Sequence, residues 1–261
     1  MPYANLGDYR LYYEEYGVGE PVVFLHGFTL DLRMWAAQAE YLEPDYHVIL
    51  LDAKGHGLSD APETGYSRND RVEDLRRFID AVGIDRFHLV GLSMGGSTGI
   101  GFALKYPERL LSLTLASTGA AGWDVGKKIS HLDSLARTKG LEASREKWKQ
   151  MSLVWYKDGR EDIRRLMEEM INDHSGAVWM DPMRGKYPRT RDLDHVHGIS
   201  VPTLILVGEL DKVFVPLAQE LHKRILTSEL KIYENTGHML NLEAPDRFNR
   251  DVKTFLDAHA R

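Results

Sequence analysis

Phe87-His88-Leu89-Val90-Gly91-Leu92-Ser93-Met94-Gly95-Gly96 decides the fold. Phe87–Val90 is a short run, apolar except for His88, of the kind buried on both faces inside a parallel sheet. Gly91-Leu92-Ser93-Met94-Gly95 then reads Gly-x-Ser-x-Gly. A Ser held on a sharp turn from strand into helix needs small neighbours. They let the backbone pass closely and leave the hydroxyl exposed. A second match, Gly95-Gly96-Ser97-Thr98-Gly99, overlaps the first. Ser97 would lie one turn inside the following helix, where its glycines allow close helix–sheet packing. That helix ends near Tyr106, before Pro107. Ser93 is therefore the candidate nucleophile; the competing reading is a structural Gly-rich turn.

Outward from this stretch, similar apolar runs recur. Val22–Leu25, Val48–Leu51, Leu110–Leu115 and Thr203–Val207 read as buried strands, and Leu230–Tyr233 is strand-like. Between them lie helix signals. Ser67 with Asp70 forms a capping-box-like pair. Val72, Leu75, Ile79 and Val82 follow at helical spacing, and Gly83 sits where a C-terminal cap belongs. Pro216 and Pro245 mark the first turns of two later helices. Residues 3–16 are expected to form an antiparallel hairpin at the sheet edge. Alternating strand and helix predicts an α/β fold with a mostly parallel sheet.

Residues 120–197 break that alternation and read as helical, most clearly over Leu141–Tyr156 and Glu161–Ile171. The stretch holds four of the five Trp (Trp123, Trp148, Trp155, Trp179) and five of the nine Met. It carries 15 Lys and Arg against 13 Asp and Glu, whereas the rest of the chain carries 18 against 26. The expected division is a core of residues 1–119 and 198–261 bearing a helical cap of residues 120–197. Trp123, Trp155 and Trp179 are candidates for lining an apolar pocket, although each side chain singly could be core.

Composition narrows the chemistry. The chain of 261 residues has a formal charge of −6, which disfavours a dedicated nucleic-acid binder. It has no Cys, which excludes thiolate nucleophiles, disulfides and Cys-ligated metal. No apolar signal region opens the chain and no run approaches the ~20 residues of a membrane span. The expectation is a soluble, cytoplasmic protein with no membrane span; oligomeric state stays open. His195-Val196-His197, beside Asp192 and Asp194, is set aside as a metal site for want of a further ligand cluster. No metal, nucleotide or other cofactor is expected.

Three further motifs sit where open α/β sheets place ligands, past strand ends. His26-Gly27-Phe28 follows Val22–Leu25, and the backbone N–H groups of Phe28 and Met94 can form an oxyanion hole. His26 itself is read as structural. Leu206-Val207-Gly208-Glu209-Leu210-Asp211 offers a carboxylate to orient an imidazole, with Glu209 and Asp124 as rivals to Asp211. Asn235-Thr236-Gly237-His238-Met239 supplies the base. Ser93, Asp211, His238 is the Ser…Asp…His order of a hydrolase triad.

Together with Met34-Trp35, Asp52-Ala53-Lys54-Gly55-His56-Gly57-Leu58-Ser59 and Val201-Pro202-Thr203, these motifs resemble α/β-hydrolases of the small carboxylesterase and 3-oxoadipate enol-lactone-hydrolase type. Lys54 departs from the Arg usual before Gly-His-Gly; Asp52 and His56 are read as structural parts of that turn. The resemblance implies an eight-stranded sheet, an inserted helical cap, no cofactor, and a serine hydrolase cleaving a small-to-medium apolar ester or lactone through an acyl-enzyme. Carbon–carbon bond hydrolases share the triad. They usually show Gly-Pro-Gly after the His-Gly turn and Trp after the catalytic His, where this chain has Thr29-Leu30-Asp31 and Met239; that reading is ranked below. Acyltransferases and perhydrolases with the same triad, and slow hydrolysing small-molecule receptors, are the remaining alternatives.

Overall fold

The computed structural model describes residues 3–123, 130–152, 159–183 and 186–261. Eight strands make one sheet: β1 (Tyr3–Asn5), β2 (Arg10–Tyr16), β3 (Glu20–Leu25), β4 (Tyr46–Leu51), β5 (Phe87–Leu92), β6 (Leu110–Ala116), β7 (Thr203–Gly208) and β8 (Ser228–Tyr233). Their spatial order is β1-β2-β4-β3-β5-β6-β7-β8. The expected edge hairpin is present: β1 pairs antiparallel with β2, and β2 antiparallel with β4. Every other pairing is parallel.

Period-two alternation explains how one sheet carries two cores. Val22 and Phe24 of β3 join one buried cluster, Val23 and Leu25 the other. Helices α1 (Ala36–Leu42), α2 (Arg68–Ala81) and α3 (Met94–Lys105) follow β3, β4 and β5. The Ser67–Asp70 capping box forms as expected, both side chains bonding back to the backbone. Gly83 follows α2 with φ of +73°, a backbone that favours glycine. Helices α8 (Val215–Arg224), α9 (Leu240–Glu243) and α10 (Pro245–Asp257) complete the covering layers, with Pro216 and Pro245 in first turns.

Between β6 and β7 the chain leaves the sheet for α4 (Ser130–Lys139), α5 (Leu141–Ser152), α6 (Glu161–Asp173) and α7 (Ala177–Met180). This is the inserted helical cap. On α6, Ile163, Met167, Met170 and Ile171 are buried at helical spacing and join the cluster that also holds Phe24 and Trp35. The cap is thus fastened to one sheet face by apolar contact.

Candidate active site

Parallel register brings the site together. Leu25 pairs with Gly91, so Phe28 and Met94 each lie three residues beyond a matched pair. Likewise Gly208 pairs with Tyr233, which sets the Asp211 and His238 loops side by side. Ser93 therefore stands at the carboxyl end of a central strand, flanked by both sets of loops.

Ser93 has φ of +54°, an uncommon conformation for a residue with a side chain. Its neighbours must be glycine. A Cβ on Gly91 would stand 2.5 Å from the Gly95 carbonyl carbon, and one on Gly95 would stand 2.2 Å from the Leu25 carbonyl oxygen. One on Gly96 would stand 2.2 Å from Thr118 Oγ1. The turn can be this tight only because side chains are missing where the backbones cross.

His238 and Asp211 are both buried, and His238 Nδ1 lies 2.6 Å from Asp211 Oδ2. The Phe214 ring tilts over the imidazole at 4.9 Å between centroids. Glu209, the rival carboxylate, accepts from the Asn235 N–H and braces the His238 loop instead. Asp124 lies outside the described residues. Ser93, Phe28 and His238 line a small cavity of about 10 Å³ together with Trp148 of α5 and Met167 of α6. That is close to the roughly 10–15 Å³ needed by one water, hence one oxygen atom. Met94 opens α3, and the first N–H groups of a helix have no partner within it.

His26 is structural as read. Its Nδ1 lies 2.7 Å from the Gly27 carbonyl oxygen, and its Nε2 accepts from the Ala53 N–H at 2.9 Å. Asp52 is structural too: its oxygens accept from the N–H groups of Leu32 and Leu58. Burial raises its pKa to about 7 against those bonds. His56 does more than shape a turn. Its ring packs against His174 of the cap at 4.6 Å and against His26 at 5.0 Å, and it lines the main cavity. Burial first, then the neighbouring His174, pushes its pKa well below the ordinary range.

The main cavity, of about 770 Å³, opens beside Ser93, Met94 and His238. Its apolar wall is Phe28, Trp148, Met151, Val178, Val213 and Phe214. Three cations, Lys54, Arg71 and Lys212, also line it; Asp211 is the one acid among the described lining residues. Lys54 pairs with Asp74 at 3.2 Å, both buried. Trp123 and Trp179 are absent from this lining: Trp123 packs against the far-face cluster and Trp179 is fully buried against Phe28. Trp155 lies outside the described residues. Among the described residues the lining tryptophan is Trp148. Its spacing from Leu141, Ser144 and Met151 on α5 was the available signal, since those positions share a helix face.

The sequence pattern of the alpha/beta hydrolase fold family matches residues 20–245. The chain belongs to that family. Within it, the chain stands close to bacterial ring-fission and ester hydrolases and to enol-lactone-hydrolase-like members, and it is a serine-hydrolase-type enzyme for a small apolar substrate. It is 33% identical over 91% of its length to a putative 2-succinyl-6-hydroxy-2,4-cyclohexadiene-1-carboxylate synthase of Bacillus subtilis, covering 90% of that protein. It is also 33% identical, over 95% of its length and 91% of the other chain, to a 2-hydroxy-6-oxononadienedioate/2-hydroxy-6-oxononatrienedioate hydrolase of Klebsiella pneumoniae. Among solved structures, Est816, described as an N-acyl homoserine lactone degrading enzyme, superposes with a TM-score of 0.85 at 28% identity. The match covers 97% of this chain and all of that one.

These relatives correct the expected enzyme class. The carboxylic-ester hydrolase or lactonase reading does not stand, because α/β-hydrolases at 29–33% identity across 95% or more of this chain are C–C bond hydrolases of ring-fission products. The two markers used against them, Gly-Pro-Gly and a Trp after the His, are thus not decisive: Thr29-Leu30-Asp31 and Met239 stand at those positions in a chain that still matches these hydrolases over 95% or more of its length. Among the described residues, no helix is long and apolar enough to cross a membrane.

Proposed function

We propose that the protein is a serine-type C–C bond hydrolase acting on a small, largely apolar ketone that carries a carboxylate, of the 2-hydroxy-6-oxo-dienoate class. The identity of 33% across 95% of the chain with the Klebsiella hydrolase carries this reading. The cavity supports it: its apolar wall suits a hydrocarbon or aryl group, and the cations Arg71 and Lys212 suit an anion, Lys54 being already paired with Asp74.

The assigned roles follow from the chemistry. Ser93 Oγ adds to the ketone carbon while His238 takes its proton. Asp211 holds the imidazole tautomer and stabilises the cation. The N–H groups of Phe28 and Met94 receive the oxyanion. Collapse of the tetrahedral adduct breaks the bond to the adjacent carbon. A carbanion can leave only if its charge is delocalised. The dienol provides this once it has tautomerised to its 2-keto form, the 2-hydroxyl proton moving to C5, so that the pair leaves as a dienolate, to which His238 returns the proton. Water, activated by His238, then releases the acyl group from Ser93. The division into a core of residues 1–119 and 198–261 and a cap of 120–197 belongs to this proposal.

Product analysis tests it. Incubation with 2-hydroxy-6-oxo-6-phenylhexa-2,4-dienoate is expected to yield benzoate over many turnovers. Turnover confined to a panel of simple esters would overturn the reading. The Bacillus relative favours a second reading, synthase chemistry yielding a cyclohexadiene carboxylate. Formation of that product, with the dienoate left intact, would decide for it.

A further inference from the structure

Phe28 is gripped by the cap at both ends. Its ring packs edge-on against Trp148 at 5.4 Å, His174 at 6.0 Å and Trp179 at 6.2 Å. Its carbonyl oxygen accepts from Thr29 Oγ1 at 2.6 Å, and that hydroxyl in turn accepts from the Trp148 indole N–H at 2.6 Å. Thr29 and Trp148 are each 1% exposed, so water does not compete for this chain of bonds.

Thr29 also has φ of +63°. For a β-branched residue this conformation is a genuine outlier, and it persists only where the surroundings over-determine it. Here the constraint is visible. The hydroxyl, fixed by an N–H from α5, locks the peptide that follows Phe28. Phe28, the residue assigned an oxyanion N–H, is therefore held by the cap as well as by the sheet.

We propose that Trp148 and Thr29 are positioning residues for the oxyanion site: the Trp148 N–H, through Thr29 Oγ1, aims the Phe28 backbone, so the site is complete only with helix α5 seated. This rests on the role given to the Phe28 N–H above. A bond that leaves the substrate untouched and fixes a transition-state donor should act on kcat and leave KM alone. Removing a whole oxyanion donor costs about 100–1,000-fold in kcat; losing its aim should cost about tenfold.

The test compares Trp148→Phe, Thr29→Val and Thr29→Ser in the full chain. Turnover of the phenyl dienoate, the rate of fluorophosphonate labelling, and affinities for phenylboronate and benzoate are read for each. Phenylboronate forms a tetrahedral adduct that places an oxygen in the hole; benzoate binds without one. Trp148→Phe and Thr29→Val are expected to lose about tenfold in kcat and labelling rate, and about tenfold in boronate affinity relative to benzoate affinity. Thr29→Val should keep KM within about twofold, while Trp148→Phe, which also alters the cavity wall, is read by the boronate-to-benzoate ratio. Thr29→Ser keeps the hydroxyl and is expected to restore all three. The double variant should be no worse than Thr29→Val, because both changes cut one link. Trp35→Phe is the packing control: that indole N–H has no hydrogen-bond partner among the described residues, and kcat should hold.

Folded Trp148→Phe with unchanged kcat and boronate affinity would overturn the proposal, as would a Thr29→Ser no better than Thr29→Val. Should Thr29→Val fail to fold, Trp148→Phe decides alone. Absence of fluorophosphonate labelling at Ser93 in the unaltered protein would mark failure of the underlying oxyanion reading instead.

Discussion

The sheet and the helical insertion solve different problems with different residues. At the sheet's carboxyl ends, placement is by backbone: Gly91, Gly95 and Gly96 stand where no side chain fits, and parallel register sets Phe28 beside Met94. In the insertion, placement is by packing, with Ile163, Met167, Met170 and Trp148 buried against the sheet face. A backbone-built site tolerates almost no change, whereas a packed wall can be repacked. Changes at the strand ends should therefore abolish chemistry, and changes in the wall should retune it.

The largest effect is expected at the base. His238→Ala should lower kcat by about 10⁵-fold, and Asp211→Asn by about 10⁴-fold, because the imidazole loses its tautomer and its stabilised cation. Steady-state kinetics on the dienoate measures both. A loss below tenfold at His238 would break the contrast at its strongest point.

Next is folding. Gly95→Ala would force a methyl to within 2.2 Å of the Leu25 carbonyl oxygen, backbone against backbone. A cost of more than about 3 kcal/mol in urea unfolding is expected. A near-neutral result would mean that the turn relaxes and that the glycine argument is wrong.

The seam between the regions should respond to acid. Burial holds His56, and likewise His26 and His88, below the ordinary imidazole range. The unfolded chain then takes up protons that the folded chain refuses. The stability these histidines contribute is full above about pH 6.5–7 and falls as pH drops through the unfolded value, by up to about 1.4 kcal/mol per pH unit for each, while Asp52, with its raised pKa, works the opposite way. Unfolding of His56→Phe between pH 7.5 and 5.5 should show a shallower slope than the unaltered protein. Parallel slopes would remove His56 from this account.

The smallest effect is expected in the wall. Met151→Ala should raise KM about three- to tenfold for the phenyl dienoate while kcat stays within about threefold, since the contact serves ground and transition states alike. A change confined to kcat would move Met151 out of the wall and into the chemistry.

The same contrast governs what could be read from the chain. The strand runs, the Ser67–Asp70 cap, the edge hairpin and the loops bearing Ser93, Asp211 and His238 were legible, because local pattern and register dictate them. The insertion was legible as helix but not as a wall. Trp179 and Trp148 are equally buried aromatics on short-range patterns, yet only Trp148 lines the main cavity. Helical period marks an apolar face without saying whether sheet, cap or cavity lies opposite. Lys54 and Arg71 were missed as lining residues for a related reason, since their approach depends on how distant loops fold together. The positive φ of Thr29 left no mark in the pattern at all. The enzyme class failed differently: one triad serves several leaving groups, so the bond cleaved is set by the cavity and its ligand.

The most direct test is benzoate release from 2-hydroxy-6-oxo-6-phenylhexa-2,4-dienoate by the unaltered protein and by Ser93→Ala. Many turnovers in the former, and a loss of about 10⁴-fold or more in the latter with the fold intact, are expected for a serine nucleophile that cleaves a C–C bond. Undiminished cleavage by Ser93→Ala would contradict it.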